Sequence, residues 1–225
     1  KSRLNGIDLD GGGRVGLLEA HTFARNAARS FDRATTTSER YLRSVAQGGE
    51  KLALDPLAAP EEVAVVRSLG HALELDDEPS ARTQLRELDR ILEDARKQVS
   101  EAQLAEEDSY HALRIALLER YPLLEHPWEE RAQELVKNES KGLYTLLTDS
   151  ELAQAHDEAV RELDEAVVQE DGVRVERARV LRLVRAFETL RLSSVLKKQG
   201  GKRYEHFRAL RTCESWVPPL LASAR

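Results

Sequence analysis

"SARTQLRELDRILEDARKQVSEAQLAEEDSYHALRIALLERY", residues 80–121, decides the fold of this chain. Apolar residues return at spacings of three and four: Leu85, Leu88, Leu92, Ala95, Val99 and Ala102, then Leu113, Ala116 and Leu117. This is the period of a helix with one apolar seam, as in a coiled coil. At 1.5 Å per residue, roughly 40 residues make a helix of about 60 Å. Glu106, Glu107 and Asp108 interrupt the seam, so loose or wet packing is expected there.

"YPLLEHPWEE" (121–130) follows. Pro122 and Pro127 are costly inside a helix and stop it. Leu123, Leu124 and Trp128 are expected to plug one end of the structure, with short helices at about 128–138 and 140–147. Asp149 or Ser150 then caps a second long helix. Its apolar positions are Leu152, Ala155, Ala159, Leu163 and Ala166, then Ala178, Leu181, Val184, Phe187, Leu190 and Leu196, and it ends at Gly200-Gly201. Within it, "AVVQEDGVRVE" (166–176) reads either as helix or as a hairpin turning at Asp171-Gly172. Helical pattern on both sides favours the helix. A last helix carries Tyr204, Phe207, Leu210 and Trp216, closed by Pro218-Pro219. Two long helices joined by a short connection predict an antiparallel hairpin.

On the N-terminal side, residues 1–15 read as a loop. A helix is expected from Gly16 or Leu17 to about Phe31, with Leu17, Leu18, Phe23 and Ala27 as its apolar stripe. Thr37 or Ser38 should cap the next helix, which carries Tyr41, Leu42 and Val45. Glycines and prolines then mark a linker, and Pro60 opens a helix whose first turn is acidic. The fold class is therefore all-α and elongated: a long antiparallel, coiled-coil-like hairpin with short capping helices. The expected division is 1–47 as an EF-hand-like loop with lead-in helices, 48–59 as linker, and 60–225 as the hairpin domain.

Composition agrees. A third of the 225 residues are charged and only 5% are aromatic, the mixture of long helices rather than sheet. The net charge of -6 argues against bulk nucleic-acid binding. The single cysteine, Cys213, allows no disulfide within the chain and no cysteine zinc cluster. No apolar run reaches the roughly 18 residues of a membrane span. The chain has no methionine and starts at Lys1, which reads as a fragment of a longer protein.

One stretch carries a chemical signature: "NGIDLDGGGRVGLLEAHTF" (5–23). With Asp8 as position 1 of a twelve-residue EF-hand loop, Asp10 is position 3, Gly13 position 6, Arg14 the carbonyl at 7, and Glu19 the bidentate ligand at 12. Gly12 at position 5 supplies no side-chain oxygen. The candidate metal ligands Asp8, Asp10, Arg14 and Glu19 thus support weak calcium binding at most. A degenerate loop that keeps only the shape is the favoured reading of the same residues, and a plain glycine turn before a helix is the third.

"GIDLDGGGRVGLLEAHTFARNAARSF" followed by "TTTSERYLR" resembles a segment of bacterial peptidases of the caspase-haemoglobinase fold, the legumain-like and caspase-like enzymes. There an Asp-rich loop leads into an "LLEAF"-type helix after the catalytic cysteine region. The resemblance covers residues 5–45, about a fifth of the chain. It implies the C-terminal portion of such a peptidase, with the catalytic His and Cys upstream of Lys1. No residue here matches those motifs, and none is assigned a catalytic role.

The remaining constellations are plain. His206 lies two helical turns before Cys213, too far for a direct bond. The other histidines are scattered, without zinc-helix spacing. Charge is segregated: residues 149–171 hold nine acidic residues and Arg161, whereas 174–211 hold twelve basic residues and three glutamates. Arg177, Arg185, Arg191, Lys197, Lys198, Lys202 and Arg203 are candidates for an anionic partner; pairing with neighbouring glutamates is the favoured alternative. The sequence thus predicts a non-catalytic interaction or regulatory module, recognised through the hairpin's outer face or its tip near Tyr121–Trp128. Its partner would be another protein or the N-terminal part of the same precursor, with nucleic acid disfavoured. The competing expectations are a subunit that completes a cysteine protease with an upstream fragment, and a coiled-coil binder of an anion.

Overall fold

The computed structural model describes residues 15–31, 35–46 and 59–215. Among these the protein is all-α, 87% helical and without a strand. In chain order the helices are α1 (Leu17–Ala27), α2 (Thr37–Val45), α3 (Pro60–Leu73), α4 (Glu78–Arg120), a 3-10 turn (Pro122–Glu125), α5 (Glu130–Asn138), α6 (Ser140–Thr148), α7 (Glu151–Gln199) and α8 (Gly201–Glu214).

Local chemistry sets the boundaries. Pro60 is the first residue of α3, with Glu61 and Glu62 in its first turn, where a missing N–H and negative charge are both favoured. The Asp77 carboxylate accepts from the Ser80 N–H at 2.7 Å as α4 begins. Ser150, not Asp149, caps α7: its Oγ accepts from the Ala153 N–H at 3.1 Å. Thr36 caps α2, one residue before the predicted position, accepting from Glu39 N–H at 3.1 Å. Gly200 and Gly201 have φ of 64° and 68°, the left-handed region that glycine enters at least cost. That break separates α7 from α8. Residues 166–176 are uninterrupted helix, so the hairpin alternative at Asp171-Gly172 is excluded. Gly172 is exposed in mid-helix, and an added Cβ would meet nothing within 4 Å. Gly172→Ala should therefore stabilise the protein by about 0.5–1 kcal/mol. Urea unfolding measures it, and a loss would contradict the helical assignment.

α4 and α7 pack together. The chain divides into two compact units: unit 1 comprises residues 1–89 and 174–225, unit 2 residues 90–173. Within unit 1 the pairing is antiparallel, with Glu78 near Arg191 at 3.6 Å and Asp89 bonded to Arg177. Within unit 2 it is also antiparallel: Arg96 meets Glu170 at 3.4 Å and Ser109 Oγ meets His156 Nδ1 at 3.1 Å.

Unit 1 is built round the second half of α7. Val180, Leu183, Ala186, Leu190, Thr189, Ser193 and Leu196 are nearly inaccessible, so this segment is covered on several faces, as a central helix is. Leu192 and Leu196 pack with Leu42 and Ala46 beside α2 and with Phe207 of α8. α1 differs from expectation. It ends at Ala27, and Leu17 and Phe23 are about half exposed, at 48% and 50%. The buried row is Leu18, Thr22 and Arg25, which share a face at i, i+4 and i+7.

In unit 2 the seam of α4 does not break at the acidic triplet. Ala95, Val99, Ala102, Glu106, Ser109 and Leu113 are its least exposed row, and their spacing of four and three is unbroken. Glu106 and Ser109 occupy seam places, and Ser109 answers His156 of α7 across it. Such a polar pair fixes register at some cost in stability. The predicted plug is also corrected. Trp128 is 70% and Leu123 45% exposed; Tyr121, Ala132 and Leu143 are buried instead. Gly142 makes this possible, because a Cβ there would sit 2.7 Å from the Tyr121 hydroxyl.

Candidate interaction surface

Unit 1 holds most of the buried charge, and it is cross-braced. Arg25 of α1 donates twice to Glu62 of α3, at 2.9 and 3.1 Å, with both side chains almost wholly buried. Burial pushes the Glu62 carboxyl above its usual range, and Arg25 opposes the rise. Arg211 of α8 pairs with the adjacent Glu61. Arg43 of α2 bridges Glu39 and Glu188. Burial alone would raise Glu188, but Arg43 and Arg82 outweigh it and hold the carboxyl low. Arg182 donates to the carbonyls of Ala28 and Ser30, just beyond α1, where a cation suits the helix end. The carboxylate of Glu214 receives the Ser38 N–H at 2.7 Å and caps α2 from α8. These groups tie helices together, and each carboxylate faces a cation or an N–H.

The residues singled out for chemistry do not assemble. Asp8, Asp10 and Arg14 lie outside the described residues. Glu19 is buried at the third position of α1, and its Oε2 accepts the Gly16 N–H at 2.8 Å. Among the described residues no group of three His, Cys, Asp or Glu side chains could hold a metal ion. Cys213 is exposed on α8. His206 packs its ring edge-on to Tyr41 at 4.6 Å. Of the seven candidate bases, Arg177 pairs with Asp89 and Arg191 with Glu78, Arg185 helps hold the Glu188 carboxyl low, and Lys197, Lys198, Lys202 and Arg203 lie exposed around the Gly200–Gly201 break.

Unit 2 is different. It exposes Val168 at 72%, Trp128 at 70%, Tyr144 at 65%, Leu104 at 59%, Ile115 at 57% and Tyr110 at 51%. In unit 1 the exposed large apolar side chains among the described residues are Leu17, Phe23 and Phe31. Unit 2 also carries 21 acidic and 9 basic residues, a net charge of -12, against -6 for the whole chain and hence +6 for unit 1. No helix among the described residues is long and apolar enough to cross a membrane.

Val160, Val167, Val168 and Tyr110 lie off the α4–α7 seam, so the seam period does not mark them. A second period was present in the same residues: Asp157, Asp164 and Asp171 recur every seven residues, as do Ala153, Val160 and Val167. No family model, curated protein or solved structure matches this chain.

Proposed function

We propose that the protein is a non-catalytic helical interaction module, in which unit 1 is the framework and unit 2 presents the binding surface to a protein partner. The carrying observation is the concentration of large exposed apolar side chains on unit 2. Its acidic charge adds support, since a field of one sign favours an oppositely charged partner. The resemblance of residues 5–45 to caspase-like peptidases supports a regulatory part in such a system.

A photo-crosslinking residue placed at Trp128, Tyr144 or Val168 should give a higher-mass adduct in the cells that make the protein. The same residue at Lys198 or Arg208 should not. Adducts from the second pair only would overturn this division, and so would no adduct from the first three positions.

A further inference from the structure

The inference rests on the reading above, that unit 2 is the binding surface, and it names the partner's chemistry. On α7, Asp157, Val160, Asp164 and Val167 are successive at spacings of three and four, and all four are exposed. They form a second heptad-like row on the flank of the α4–α7 seam. His156 begins that side of the helix, and the Tyr110 ring of α4 lies 5.9 Å from it. Val160 is one turn further on. Tyr110, half exposed, therefore stands on the same side of the hairpin as the valine row. Val160, Val167 and Tyr110 thus expose apolar groups on one flank of the α4–α7 seam, with Asp157 and Asp164 beside the valines.

We infer that this flank of the seam takes a basic amphipathic helix, laid along α7 as a third strand of the coil. Apolar side chains on the incoming helix would meet Val160, Val167 and Tyr110. Lys or Arg at the alternate heptad position would meet Asp157 and Asp164. Charge selects this occupant. Arg161, the one base in 149–171, stands between Asp157 and Asp164 in helical spacing, and its charge is engaged by Glu158 and Glu165. A second copy of the chain docking by the same face would set aspartate row against aspartate row, which is repulsive.

The test uses the full chain and a fluorescein-labelled peptide of about three heptads, with leucine at the seam positions and lysine beside them. A peptide with glutamate for lysine is the control. The lysine peptide should bind and weaken as salt rises; the glutamate peptide should not bind. Asp157→Lys with Asp164→Lys should weaken binding by roughly tenfold or more. Val160→Ser with Val167→Ser should weaken it at every salt concentration. Glu151→Lys with Glu162→Lys makes the same charge change on the far side of the helix and should alter binding by no more than about twofold. All six positions are exposed, and circular dichroism checks that each variant remains helical. Equal loss from the two charge-reversed pairs would overturn this placement, as would failure of the lysine peptide to bind. Self-association of the chain that is abolished by the valine changes would also overturn it. If unit 2 crosslinks to a partner while the lysine peptide fails, the helical occupant falls and the broader reading stands. If both are silent, both fall.

Discussion

Arg25→Met is expected to lower stability by about 3–5 kcal/mol, because it leaves a buried carboxylate without its cation. Arg25 and Glu62 are both buried, and they join α1 to α3. Glu62 already titrates above its usual range because of burial. Without Arg25 that rise should grow, leaving Arg211 as the remaining cation that favours the charged form. The sign with pH follows from linkage. A carboxyl whose folded value is raised binds its proton more tightly in the folded state. The variant should therefore gain stability as pH falls from neutral toward the ordinary carboxylate range. Arg25→Met with Glu62→Leu should recover most of the loss, since an apolar pair of similar volume is often neutral or better than a buried ion pair. Urea unfolding of the two single variants and the double variant, at two pH values, measures all of this. A single-variant loss below about 1 kcal/mol would show that the pair is solvated.

Phe207→Ala should cost about 3–5 kcal/mol. Phe207 is 1% exposed and packs among Leu42, Ala46, Leu192 and Leu196. It is the one contribution of α8 to the buried part of that cluster. The substitution would leave a cavity where α2, α7 and α8 meet. Phe207→Leu should cost substantially less, because most of the volume stays. If the alanine variant unfolded at the parent's urea concentration, α8 would not belong to the core of unit 1.

The two long helices were legible from the heptad period alone, and their ends from proline, glycine and serine. What escaped has physical causes. The buried row of α1 includes Thr22 and Arg25, and the Arg25 partner is 37 residues away. A local search for apolar stripes selects Leu17 and Phe23 instead, which are exposed. The acidic triplet resembles a break by composition, yet Glu106 and Ser109 keep the spacing. Trp128 looked like a plug because of its size, yet small Ala132 and Gly142 let Tyr121 and Leu143 close that region. The second half of α7 carries apolar residues on more than one face, which already implied more than one neighbour. The candidate surface was half visible. Tyr121–Trp128 mark the tip by their prolines and aromatic rings, whereas the aspartates of α7 stand out in the sequence only as charge. The calcium-loop candidates Asp8, Asp10 and Arg14 lie outside the described residues.

The central claim is that stability resides in the interior of unit 1 and recognition on the surface of unit 2. Hydrogen exchange of the full chain, with and without its crosslinked partner, tests it most directly. The amides of residues 183–196, inside unit 1, should exchange slowly in both states and change little. New protection should appear in unit 2, within residues 103–110 and 153–168. New protection confined to residues 197–208, beside the exposed lysines of unit 1, would contradict the account.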